Sequence, residues 1–231
     1  ITALGDGVTD LSVGDRVAYV TQPPGAYATD RVLPADRLVK LPDTISERTA
    51  AGMMLKGLTA QYLLRRTYNV QSGDTILMHA AAGGVGLIVC QWAKHLGATV
   101  IGTVGSPEKA ELAKAHGCDH TILYRDENFK DRVQDITDGA GVNVVYDSIG
   151  KDTFMDSLDC LKPLGTMVTY GNASGPVDAF APGILAAKGS LYVTRPTLFT
   201  HIATRKDLVE MTDDWFNVVA GGQVKIEIHQ E

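Results

Sequence analysis

The stretch Thr75-Ile-Leu-Met-His-Ala-Ala-Ala-Gly-Gly-Val-Gly-Leu-Ile-Val-Cys-Gln-Trp-Ala-Lys-His-Leu-Gly97 decides the fold. It opens on an apolar run, Ile76 to Met78, set behind Gly73-Asp74, which reads as a buried parallel strand. A corner of small residues follows, Ala80 to Gly86. Apolar residues then recur at Val85, Ile88, Val89, Trp92 and Leu96, the spacing of one helix face. Gly97 suits a left-handed cap, and Thr99–Val104 is a second apolar strand. Strand, corner, helix and strand make a βαβ unit, whose corner points free backbone N–H groups at any anion placed over the helix N-terminus.

Against the pattern G-x-G-x-x-G, Ala81 stands in the first glycine position, Gly83 in the second and Gly86 in the third. Gly83 or Gly84 lets the backbone approach phosphates, and Gly86 lets helix and strand pack closely. The pattern alone is weak, and an unliganded glycine turn is the alternative. Its position between a strand and a helix favours dinucleotide binding.

Downstream the alternation continues. Ser106 and Pro107 open a helix that Gly117 closes. His120–Tyr124 is a third strand, Glu127–Ile136 its helix, and Asn143–Asp147 a fourth strand. A helix over Asp152–Leu161 precedes a fifth strand, Thr166–Tyr170. Gly171–Gly183 is loose, Ile184–Lys188 is helical, Leu191–Thr194 is a sixth strand and Lys206–Val219 the last helix. This predicts an α/β fold, a Rossmann-type doubly wound parallel sheet with ligand beyond the strand carboxyl ends. Upstream, Val13–Val20, Gly25–Val32 and Leu38–Leu41 read as strands of a partial antiparallel lobe, followed by helices over Glu47–Met54 and from Lys56 to about Thr67. The predicted domains are 1–45 and 46–231.

The 231 residues are 45% apolar and 21% charged, an ordinary globular composition with length for a real core. A net charge of −6 and the lack of a basic block argue against nucleic acid or an anionic membrane as partner. No apolar run approaches the ~20 residues of a membrane span. Cys90, Cys118 and Cys160 form no C-x-x-C pair and no even set, so reduced thiols and a cytoplasmic location are expected. The chain enters without Met and ends just after a strand-like run, so a fragment of a longer protein is expected.

The second strand of the βαβ unit ends in Thr103-Val-Gly-Ser106 and carries no acid for a ribose 2′-hydroxyl. Small residues there leave room for a 2′-phosphate, with Ser106 able to donate to it. Lys109 falls in the first helical turn, where the dipole disfavours a cation unless a phosphate sits nearby. Tyr124 closes the third strand and is a further candidate at the adenosine end. The alternative makes Lys109 an ordinary solvated lysine balanced by Glu108 and Glu111. His79 beside the corner reads as structural rather than as a catalytic acid. No metal spacing, no G-x-S-x-G elbow, no phosphate-loop motif and no tyrosine followed four residues later by lysine is present. What remains is hydride chemistry supplied by a bound nicotinamide cofactor.

Several motifs together resemble one family. They are Lys56-Gly-Leu-Thr-Ala, His79 to Gly86, Gln91-Trp-Ala-Lys94 with Leu96-Gly-Ala98, and Gly102-Thr-Val-Gly105. Val145-Tyr-Asp-Ser148, Gly171-Asn-Ala-Ser174 and Gly189-Ser-Leu-Tyr-Val-Thr-Arg-Pro196 complete the set. They closely resemble the NADPH:quinone oxidoreductases, the zinc-free, zeta-crystallin-like branch of the medium-chain dehydrogenase/reductases, over essentially the whole chain. The resemblance implies a GroES-like lobe, here partial, plus a Rossmann lobe, with NADPH in the cleft between them and a quinone as substrate.

By matching position, Gly84 and Val85 look like pyrophosphate contacts, and Gly105, Ser106, Lys109 and Tyr124 like the adenosine-phosphate site. Gly171, Asn172, Ala173 and Ser174, with Thr197 and Leu198, resemble the segments lining the nicotinamide, and Tyr62 lies at its approach. Leu191–Pro196 resembles an edge strand that pairs across a homodimer. The family's substrate residues would precede Ile1, so no catalytic residue is assigned. Two other readings stay open: an enone or enoyl-thioester reductase of the same superfamily, and a non-catalytic NADPH-binding protein, crystallin-like or RNA-binding.

Overall fold

The computed structural model describes residues 1–20 and 23–228. In chain order its elements are β1 (Val17–Tyr19), β2 (Leu38–Lys40), α1 (Glu47–Gln61), β3 (Thr75–Met78), α2 (Gly84–His95) and β4 (Thr99–Val104). Then come α3 (Pro107–Ala115), β5 (His120–Leu123), α4 (Phe129–Ile136), β6 (Val142–Asp147), α5 (Phe154–Asp159) and β7 (Leu161–Thr169). The chain continues through α6 (Gly183–Ala187), β8 (Tyr192–Thr194), α7 (Leu198–His201) and α8 (Arg205–Ala220). No helix among the described residues is long and apolar enough to cross a membrane.

Contacts divide the chain into two compact units, Ile1–Gln61 with Leu198–Glu231, and Tyr62–Thr197. This division differs from the break at 45/46 expected from sequence. The reason lies in α1 and α8, whose buried faces pack on each other: a Cβ on Gly57 would lie 2.0 Å from the Trp215 ring, and Gln61 Nε2 donates to Asp214 at 3.0 Å. A helix read as the last of the Rossmann domain therefore belongs with the N-terminal segment.

In that first unit, β1 and β2 form a two-stranded antiparallel ladder, Val17 opposite Lys40. The strand expected over Val13–Val20 shortens to three residues because Gly14 turns at φ +92°. The strand expected over Gly25–Val32 does not form. Arg31 donates to Pro23 O at 2.6 Å and lies 5.2 Å from the Tyr19 ring. Tyr27 and Val32 stay exposed, so this run bends locally, and no ladder partner for it exists among the described residues. The two helices expected over 47–67 are one α-helix followed by a π-helical turn, Tyr62–Thr67. Gly57 does not break the helix; it makes room for the indole. The strand-like run before residue 229 forms no ladder among the described residues, and residues 229–231 lie outside them.

The second unit is the doubly wound layer read from the sequence. Its six strands, all parallel, run in the order β5-β4-β3-β6-β7-β8. The chain builds outward from β3 through β4 to β5, then returns to lay β6 on the other side of β3. That reversal leaves a crevice at the carboxyl ends of β3 and β6. Leu77, Ile101, Ile122, Val133, Val145, Phe154 and Met167 fill the space between sheet and helices. The observed β4 matches the strand read from sequence, and Gly97 and Gly117 close their helices at positive φ. All three cysteines are free and buried.

Several polar groups are buried in this unit, and His79 ties two of them together. His79, 1% exposed, holds Thr103 Oγ1 at 3.0 Å through Nδ1 and Ser157 Oγ at 2.9 Å through Nε2. It thereby links the end of β3 to β4 and α5, and its ring meets Phe129 edge-on at 4.9 Å. Burial pushes its pKa down to about 4, against the field of Asp147. The geometry is that of a structural histidine, as expected from sequence.

Two outcomes follow. Gly57→Ala gains about 1 kcal/mol of helix propensity, but the indole contact makes it a net loss of about 1–3 kcal/mol. A urea midpoint at or above wild type would show that Trp215 moves aside freely. For His79, the unfolded chain binds a proton below its ordinary pKa of about 6.5 that the folded chain refuses down to about 4. Stability is therefore fully present above pH 6.5 and falls as pH drops through that window, by about 3 kcal/mol in all. Urea midpoints from pH 7 to pH 4 should fall more for wild type than for His79→Gln; parallel profiles would remove His79 from the account.

Candidate functional site

A cavity of about 500 Å³ opens over the crevice at the strand carboxyl ends. Its floor is the corner after β3. Gly83 is the N-cap of α2, with φ −78° and no side chain capping it. The first-turn N–H groups at Gly84 and Val85 therefore stay available to an anion. Gly86 is required for packing: a Cβ there would lie 2.4 Å from Ala80 O and 2.5 Å from Ala81 O. The corner is pinned from below, with His79 N–H on Tyr146 O at 3.0 Å and Ala81 N–H on Thr103 O at 3.0 Å. Ala81 fits in the first glycine position because the facing residue on β4 is Gly102, whose own Cβ would lie 2.5 Å from that of Ala81.

One end of the cavity is formed after β4 and β5. Gly105, Lys109 and Tyr124 line it. Ser106 caps α3 by accepting from Lys109 N–H at 3.4 Å. The same hydroxyl meets the Glu108 carboxylate and is the main reason its pKa is lowered. Glu111 pairs with Lys114 at 3.0 Å. Lys109 thus makes no ion pair among the described residues, and the balancing acids considered in the sequence are engaged elsewhere. Gly105 is small for a reason visible here: a Cβ would lie 2.8 Å from the Tyr124 hydroxyl.

The opposite side is made of the loops after β6 and β7. Ile149, Asp152, Thr153, Ala173 and Ser174 line it. Ala173 N–H donates to Ser148 O at 3.1 Å, Ser174 N–H to Ile149 O at 2.9 Å and Lys151 N–H to Gly175 O at 3.1 Å. Arg195, just past β8, donates to Gly171 O at 2.9 Å and Thr169 Oγ1 at 3.3 Å.

Of the residues expected from sequence, Gly105, Lys109, Tyr124, Ala173 and Ser174 meet around this cavity. Gly84, Val85 and Ser106 are adjacent to it in the first turns of α2 and α3. Gly171 and Asn172 belong to the tied loop without lining the cavity. Tyr62 is 3% exposed, and burial pushes its hydroxyl pKa up to about 12, partly countered by Arg195. Tyr62 and Thr197 are not among the lining residues, and Leu198 falls in the other compact unit. Two residues went unassigned in the sequence, Asp147 and Arg195. Asp147 is a carboxylate closing a mostly apolar, buried strand, a pattern that signals a satisfied buried charge.

The zinc-binding dehydrogenase family matches residues 84–215. Among the described residues no group of three or more His, Cys, Asp or Glu is placed to hold a metal ion. A quinone oxidoreductase of Pseudomonas aeruginosa is 56% identical over 230 residues, covering 100% of this chain and 71% of that protein. A 2-haloacrylate reductase of a Burkholderia species is 49% identical over 225 residues, 96% of this chain and 68% of that protein. The crystal structure of the Escherichia coli quinone oxidoreductase complexed with NADPH superposes with a TM-score of 0.94 at 48% identity, covering 98% of this chain and 70% of that one. Sheet order, glycine corner and whole-chain identity agree, and this chain belongs to the quinone oxidoreductase family of the medium-chain dehydrogenase/reductases.

Proposed function

We propose that this chain is part of an NADPH-dependent quinone reductase of the reducing cytoplasm. The observation that carries the cofactor assignment is the cavity end made by Gly105, Lys109 and Tyr124. It offers a cation with no ion-pair partner among the described residues and, at the end of β4, no acid to engage a 2′-hydroxyl. The residues fit NADPH. Gly84 and Val85 would hold the diphosphate through their amides, and Lys109, Ser106, Gly105 and Tyr124 the 2′-phosphate end. Gly171 to Ser174, Thr197, Leu198 and Tyr62 are assigned to the nicotinamide side on the family pattern. When bound, NADPH supplies the hydride that reduces the quinone. The protein's part is to orient the cofactor and, through the anion site, to select it.

The quinone assignment draws support from the relatives at 48–56% identity. The haloacrylate-reducing relative supports a second reading, reduction of an electron-poor alkene. One experiment addresses both cofactor and acceptor: the full-length protein is assayed with NADPH and NADH against quinones, 2-enals and 2-haloacrylate. Quinones are expected to turn over fastest. Lys109→Ala should lower the NADPH-to-NADH preference about tenfold or more, the worth of a charge-assisted contact of about 1.5–3 kcal/mol. Activity confined to the alkenes would overturn the quinone reading, and an unchanged ratio would overturn the role of Lys109.

The homodimer reading draws support from the sheet. β8 is an edge strand, and Tyr192 on it is 62% exposed. Such an edge is a template for pairing with a second copy. The full-length protein is therefore expected to sediment as a dimer, and Tyr192→Lys to shift it toward monomer. A wild-type monomer at micromolar concentration would refute this.

A further inference from the structure

The motif Val145-Tyr-Asp-Ser148 carries a charge, Asp147, that the functional reading does not use. Asp147 is fully buried, 0% exposed, at the carboxyl end of β6. Its Oδ1 accepts from Ile149 N–H at 2.7 Å, Gly150 N–H at 3.2 Å and the Thr153 hydroxyl at 3.0 Å. Its Oδ2 lies 3.4 Å from Gly150 N. The charge is solvated by the backbone of its own loop, so the loop must keep the curled shape that aims those N–H groups inward.

That shape passes to the next loop. Gly150, held at φ +92°, forms a bridge to Gly175, and a Cβ on it would lie 2.6 Å from Gly175 O. Ser174 Oγ is tied to Ile149 O and Asp152 N, each at 3.0 Å. A Cβ on Gly171 would lie 2.4 Å from Ser148 O. The five cavity-lining residues on this side, Ile149, Asp152, Thr153, Ala173 and Ser174, all sit on the two loops so joined.

We infer that Asp147 is a positioning residue for the cofactor: its buried carboxylate folds the loop after β6 into the template that holds the loop after β7 against the nucleotide. The inference rests on the NADPH reading above and assigns Asp147 no contact with the cofactor. A carboxylate kept only for stability would leave the affinity of the folded protein untouched.

The test titrates full-length protein with NADPH, followed by nucleotide fluorescence, for wild type, Asp147→Asn, Thr153→Val and the double variant, with melting curves alongside. Asp147→Asn keeps the shape of the side chain and loses the charge; its Kd should rise about tenfold. Thr153→Val removes one donor to the carboxylate and should raise Kd two- to fivefold. Because the hydroxyl acts through the carboxylate, T153V should add nothing in the D147N background. Wild-type Kd values in both single variants, whatever their melting temperatures, would overturn the proposal. So would a T153V effect that persists undiminished alongside D147N. If D147N does not fold, Asp147→Glu takes its place in the cycle, with a raised Kd and no added effect of T153V again expected. Wild-type protein that takes up no NADPH would instead sink the functional reading beneath it, a distinct result.

Discussion

Helix α2 can start where it does only because Gly86 has no side chain. Any Cβ there would enter the carbonyls of Ala80 and Ala81. The close approach brings the positive end of the helix directly over the exit of β3, and the anion site follows from it. Neighbouring strands then supply the sides of the cavity, since β4 and β6 flank β3 in the sheet. Ala80 takes φ 55° in this bend, an unfavourable value for a residue with a side chain, held by hydrogen bonds on either side of it. Strand, corner and helix are therefore one mechanical piece.

The two sides of the cavity are built by opposite means. The side after β4 and β5 works by omission: a glycine at 105, no acid, and a lysine left unneutralised. The side after β6 and β7 works by satisfaction, with Asp147 collecting nearby donors and shaping two loops around itself. Removing an anion partner from the first side leaves a site for a ligand's charge. Burying Asp147 within the second fixes a surface without offering that charge to the ligand; the carboxylate this side does present is Asp152.

The layer of parallel strands was legible because each strand is a short apolar run followed by a turn and a helix face, signals confined to neighbouring residues. Thr99–Val104 appears as a strand with the bounds read from sequence, and Ser106 and Pro107 mark the start of α3. The errors share a cause. Gly25–Val32 has strand-forming residues but no partner strand among those described, and pairing is not written in a single segment. A second helix was read as starting at Lys56 because Trp215, 158 residues from Gly57, was not visible as the reason for that glycine. α8 has the pattern of any amphipathic helix, which says nothing about which unit it packs into. Site residues divide the same way. The place of Lys109 and Gly105 at the cavity was readable from a motif. Asp147 and Arg195 bind loop groups that only the fold brings to them.

Lys109 shows how a local misfit can carry information about function. A cation in the first turn of a helix opposes the dipole at a cost of about 0.3–1 kcal/mol. α3 could place its positive charges later, as it does with Lys114 in its last turn. Ser106 caps the helix and draws in Glu108, yet neither acid of this helix neutralises Lys109 among the described residues. Stability alone gives no reason for that arrangement. A phosphate over the end of β4 does, because it reverses the sign of the local field and satisfies lysine and helix N-terminus together. Departures from local consistency that face a cavity are where function is expected to oppose folding, and on the proposed reading this one selects the charge of the ligand.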